Sequence, residues 1–138
     1  MLVLAYLGDS IYEVYIRKYL VNKGIAKVKE LQEQSIKYVS AKSQSSYLKE
    51  LIDNNLLSED EINIVKCARN HKSNHKPKNW DIITYNWATG FEALIGYLYL
   101  ENKIDRLEEI INYIIKDWHI NQFFFWKYFI KFKIDVII

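Results

Sequence analysis

The stretch from Trp87 to Leu100, W-A-T-G-F-E-A-L-I-G-Y-L-Y-L, holds fourteen residues and a single charge, that of Glu92. Such apolar density belongs in the middle of a core. Alternation at period 2 is absent, and Ala88, Phe91, Ala93, Leu94, Ile95 and Leu98 suit a helix buried on most faces. The stretch falls short of the roughly 20 residues that span a bilayer. A carboxylate inside such a helix is costly unless a cation side chain, several hydrogen bonds or a metal ion offsets its desolvation. The stretch therefore reads as a core helix presenting one acid, and a second acid is expected beside it.

The 138-residue chain is about one domain in length. One proline and four glycines leave little material for a many-turned β fold, so the expected class is all-α. The net charge of +2 is too mild to argue for nucleic acid by itself; local clustering has to do that. The single Cys67 forms no internal disulfide and fits a reducing cytoplasm. No signal-peptide pattern is visible at M-L-V-L-A-Y-L-G-D.

Helical periodicity divides the chain readily. Leu2 to Leu7 is apolar, Gly8-Asp9-Ser10 is expected to interrupt it, and a helix resumes at Ile11 with Val14, Tyr15 and Tyr19 on its face. Gly24 suits the left-handed position that ends this helix. A second helix is expected over Val28 to Val39, with Leu31, Ser35, Ile36 and Val39 inward. Ser40 reads as the N-cap of a third helix carrying Tyr47, Leu48 and Leu51. Ser58 to Glu61 has capping-box spacing for a fourth, ending near Ala68. After a polar loop over residues 69 to 79 come the central helix and a last amphipathic one, Asp105 to Trp118. The expectation is one helical domain over residues 1–118. Residues 119–138 form a densely aromatic tail, read as a packed segment, a membrane-surface contact or a tail without function.

Few residues stand out chemically. Asp9 can cap a helix, as can Ser10 with Glu13. Alternatively, Asp9 pairs with Glu92 across two packed helices. Two carboxylates brought together suit Mg²⁺, which takes hard oxygen ligands and keeps several waters. Glu13 reads as a solvent-facing or capping acid. The loop offers Arg69, Lys72, Lys76 and Lys78, with His71 and His75 and no acid, a composition suited to phosphate contacts or to a plain solvated surface. The two histidines have no third zinc ligand nearby, and Cys67 reads as a small buried apolar residue.

Y-L-G-D-S-I-Y-E at 6–13, V-S-A-K-S-Q at 39–44, A-R-N-H-K-S at 68–73, P-K-N at 77–79 and T-G-F-E-A-L-I-G-Y-L-Y-L at 89–100 together resemble Mini-ribonuclease III, over about residues 2 to 116. These are ribonuclease III-like enzymes without a double-stranded-RNA-binding domain. The resemblance implies a homodimeric ribonuclease III fold that cuts both strands of an RNA duplex and leaves 5′-phosphate and 3′-hydroxyl ends. It implies Asp9 and Glu92 as catalytic and Mg²⁺-binding residues, and the basic loop (Arg69, Lys72, Lys76, Lys78) as an RNA contact. Precursors of 23S ribosomal RNA are the implied substrate, in the cytoplasm and away from any membrane. Whether a ribosomal protein presents that RNA is left open. Full-length ribonuclease III enzymes carry two further acids where this chain has Ala5 and Thr89, a thinner set that Mini-ribonuclease III enzymes share. Two rival readings follow: an RNA- or ribosome-binding module that has lost its chemistry, and a helical interaction protein dimerising through a Gly90–Gly96 face.

Overall fold

The computed structural model describes residues 1–71 and 81–115, and the elements formed by these residues are all helices. They are α1 (Leu2–Asn22), α2 (Val28–Val39), α3 (Ala41–Asp53), α4 (Glu59–Arg69), α5 (Ile82–Leu100) and α6 (Ile104–Ile115). None of them is long and apolar enough to cross a membrane. Residues up to Ile104 form one compact unit, and α6 is described by itself. The aromatic tail lies outside the described residues.

Local chemistry sets the helix ends where the sequence signals them. Ser40 accepts a hydrogen bond from the Ser43 amide at 3.2 Å and starts α3. Ser58 and Glu61 cap α4 reciprocally, the Ser58 amide donating to Glu61 at 2.8 Å. Asp81 accepts from the Ile83 amide at 3.0 Å and starts α5, five residues before the dense apolar stretch begins at Trp87. Gly24, at φ 87°, turns the chain away from α1 as expected.

α5 is the centre of the unit. Phe91, Ala93, Leu94, Ile95 and Leu98 are fully or almost fully buried, and α1, α3 and α4 pack around them. Tyr12 of α1 meets Phe91 edge to face at 4.9 Å, and its hydroxyl donates to the Tyr38 carbonyl of α2 at 2.9 Å. Burial in this seam pushes the Tyr12 phenol far above its ordinary value. α6 is strongly amphipathic, with Leu107, Ile110, Ile111 and Ile114 buried.

Four expectations are corrected. Gly8-Asp9-Ser10 does not interrupt α1, which runs unbroken from Leu2 to Asn22. Its buried stripe is Ala5, Gly8, Tyr12, Ile16 and Leu20, so Val14 is exposed. Ile36 likewise faces outward, and α2 buries no residue completely. Cys67 is exposed, because the inward face of α4 runs through Glu61, Val65 and Ala68. Fourth, Gly90 and Gly96 do not form an outer face: Gly90 sits against Val65 and Leu48, and Gly96 against Leu4 and Gly8.

The contact between Gly8 and Gly96 explains why a glycine tolerates the interior of α1. A Cβ on Gly8 would overlap the Glu92 carbonyl oxygen and stand 2.8 Å from the Gly96 nitrogen. A Cβ on Gly96 would overlap the Leu4 carbonyl and stand 3.2 Å from the Gly8 nitrogen. Helix propensity favours alanine over glycine by only about 1 kcal/mol. Backbone atoms cannot step aside as a flexible side chain can, so overpacking prevails. Gly8→Ala and Gly96→Ala are each expected to cost about 3 kcal/mol in urea unfolding. Gly90→Ala, whose Cβ would meet Val65 and Leu48 at 3.2–3.4 Å, is expected to cost less than half of that.

Candidate active site

The glycine crossing also builds the acid pair. Gly8 rests on the backbone of Glu92, so Asp9 leaves α1 beside the Glu92 side chain. Asp9 lies inside a helix that begins at Leu2, and it therefore caps nothing. Glu13, one turn on, is bound at 2.6 Å to Arg17 on a solvent-facing stretch of α1.

Glu92 lies among apolar residues, and its proton affinity records that. Burial pushes its carboxyl up to about 8, and the charge of Asp9 and a hydrogen bond shared with it push the same way. The Gln44 amide opposes them, because hydrogen bonding to the carboxylate favours the ionised form. No cation among the described residues is one of the groups that set this affinity. Glu92 thus meets the ordinary desolvation cost by holding a proton, which it can donate toward Asp9.

Beside Glu92 opens a cavity of about 260 Å³, lined by Val39, Ala41, Gln44, Tyr85, Ala88, Thr89 and Glu92. Thr89 is buried and its hydroxyl donates to the Tyr85 carbonyl of its own helix at 3.0 Å. Ala5 packs with Ala68 and Ala93 in the core. Neither position adds an acid. Among the described residues no group of three or more His, Cys, Asp or Glu side chains is placed to hold a metal ion. Two neighbouring carboxylates do fit Mg²⁺, an ion commonly held by one or two protein carboxylates with water completing its shell.

Arg69, at the end of α4, stacks over the ring of Trp87 at 5.0 Å. Lys49 of α3 lies over the same ring at 5.4 Å. Trp87 is therefore half-exposed and belongs to a basic–aromatic patch, next to Ala88 of the cavity wall. Neither Trp87 nor Lys49 was expected there; they are far from Arg69 in sequence, and only the packing of α3, α4 and α5 unites them. Lys72, Lys76 and Lys78 lie outside the described residues.

Comparison with known proteins identifies the family. Residues 2–103 match the family model of the ribonuclease III domain. The Mini-ribonuclease 3 of Enterococcus faecalis is 49% identical over 115 residues, which are 83% of this chain and 87% of the relative. That of Staphylococcus aureus is 45% identical over 114 residues, covering 83% and 85%. A crystal structure of a Fusobacterium nucleatum protein superimposes with a TM-score of 0.75 at 38% identity, covering 83% of this chain and 92% of that one. A core helix carrying one acid, a second acid delivered by a glycine crossing and matches of this extent agree: the chain belongs to the Mini-ribonuclease 3 family of ribonuclease III-domain proteins.

Proposed function

We propose that this protein is a Mg²⁺-dependent endoribonuclease that hydrolyses phosphodiester bonds of double-stranded RNA. The adjacency of Asp9 and Glu92 at the α1–α5 crossing carries this reading. A bound Mg²⁺ supplies Lewis-acid stabilisation of the phosphate and an activated water. Asp9 and Glu92 would hold the cation, Glu92 then giving up its proton to solvent. Arg69, propped on Trp87, meets the phosphate backbone, with Lys49 beside it and Lys72, Lys76 and Lys78 following in the sequence. Phosphates, 2′-hydroxyls and A-form shape guide recognition, since the deep major groove of duplex RNA resists side chains.

The working unit in this proposal is a homodimer in the cytoplasm, with one acid pair for each strand. Exposed Val3 and Tyr6 on α1 supply apolar surface for a second copy. Precursors of 23S ribosomal RNA are the proposed substrate. Residues 1–118 are the proposed catalytic domain, with residues 119–138 a separate tail.

Glu92→Gln and Asp9→Asn are each expected to lower cleavage of a generic RNA duplex by about 10²–10³-fold or more, on the order seen when a main electrostatic group is removed, while circular dichroism stays unchanged. Wild-type rates in either variant, or wild-type cutting that survives EDTA, would refute the assignment. Duplex binding without any cutting by the wild type would favour the binding module, which the thin acid set keeps in play.

Acid-pair linkage gives a test without RNA. The folded carboxyl of Glu92, near 8, lies above its ordinary value of 4.5. Its stabilising contribution is thus complete below that ordinary value and lost as pH rises through the folded one. In EDTA, Glu92→Gln is expected to be more stable than wild type at pH 9, on the order of 2 kcal/mol, and nearly equal at pH 5. Urea unfolding at the two pH values measures this, and equal stability at pH 9 counts against it.

Replacing Arg69, Lys72, Lys76 and Lys78 together by alanine is expected to weaken duplex binding and flatten its dependence on log salt. The slope should fall by roughly 0.7–0.9 for each lost phosphate contact. An unchanged affinity and slope would make the loop a plain solvated surface.

A further inference from the structure

Gln44 is a buried polar side chain that lines the cavity beside Glu92 and takes no part in capping α3. It stands in the first turn of α3, only 1% exposed, and lines the same cavity as Glu92. A glutamine among Val39, Ala41 and Ala88 is an expensive way to fill space, because each of its polar atoms needs a partner once water is gone.

Its two ends are not equivalent. Nε2 donates to the Val39 carbonyl at 3.1 Å. That bond fixes the amide, since turning it over would set the glutamine oxygen against a carbonyl oxygen. The second N–H serves the Glu92 carboxylate. Oε1 is buried and has no hydrogen-bond partner among the described residues. It is a hard, neutral oxygen on a side chain that lines the same cavity as Glu92.

We propose that Gln44 is a positioning residue of the acid pair: its amide N–H steers the Glu92 carboxylate, and its Oε1 supplies a neutral oxygen to the divalent-cation site of Asp9 and Glu92. The inference rests on the cation site proposed above. It assigns that site a third oxygen where the chain has only two acids. A neutral donor completes the set without adding a third negative charge to a pair that already repels itself.

The test is Mn²⁺ alone, an ion that shares the preference of Mg²⁺ for oxygen ligands. It is titrated into the full-length, metal-free chain and followed by loss of the free-ion paramagnetic signal. The set is wild type, Glu92→Gln, Gln44→Leu, Gln44→Met and Gln44→Glu, with thermal unfolding of each. Wild type is expected to bind and Glu92→Gln to lose binding. Gln44→Leu and Gln44→Met should bind roughly 10–100-fold more weakly, the usual effect of removing an outer partner of a metal ligand. Gln44→Glu keeps an oxygen but loses both N–H groups, so it should bind more tightly than Gln44→Leu and Gln44→Met. A merely structural Gln44 would shift the unfolding midpoint and leave the Mn²⁺ affinity alone, which overturns the proposal while the cation site stands. If Gln44→Leu does not fold, the comparison of Gln44→Met with Gln44→Glu decides, and equal affinities overturn it. Absence of binding by wild type removes the cation site and this role of Gln44 together.

Discussion

Backbone contact between α1 and α5 is the constraint on which the rest depends. Gly8 and Gly96 remove the side chains that would keep two helices at ordinary separation, and main chain rests on main chain. Ordinary helix pairs sit 8–10 Å apart, set by the side chains at the contact. Removing those side chains brings Asp9 within reach of Glu92 without bending either helix. Tyr12 and Phe91 then close the same seam one turn further along and tie it to α2. The crossing is both a packing device and the means by which two acids far apart in the sequence become neighbours.

Bringing those acids together works against folding. Each carboxylate would be better solvated alone, and their mutual repulsion grows as the surroundings become less polar. The fold manages this with a proton on Glu92 and the amide of Gln44. A site kept under such tension favours any ligand that brings positive charge. The helix–helix core holds Glu92 partly buried, while Asp9 stands at the exposed edge of the crossing. The apolar wall of Val39, Ala41 and Ala88 strengthens the field that a cation would feel there.

Much of this was legible in the residues, and the reasons differ from element to element. The limits of α2, the Ser40 and Ser58 caps and the Gly24 stop follow from local chemistry, which neighbours in sequence express. Glu92 announced itself by being the single charge in an apolar run. Continuity of α1 through Gly8 was not legible. Glycine is a breaker by local propensity, and its second use, close approach of another helix, shows only when that helix is present. Val14 and Ile36 misled because an apolar residue at helical spacing need not face the core. Trp87 was read with the core since its neighbours are apolar, yet its partners Lys49 and Arg69 come from two other helices. Gln44 was visible only as a letter in a motif; its burial and its anchored amide are properties of the packed state.

The α1–α5 crossing also fixes an order of events during synthesis. α1 is made first, but the surface that buries Gly8, Tyr12 and Ile16 includes α5, which ends at Leu100. Loop-closure entropy must be met before such a distant contact rewards the chain. An N-terminal helix emerging from the ribosome therefore waits, with its stripe uncovered, while α2, α3 and α4 follow it out. The carboxylates come together only after most of the domain exists. A truncated product stopped anywhere before α5 has Asp9 but no partner for it, so an incomplete chain carries no assembled acid pair.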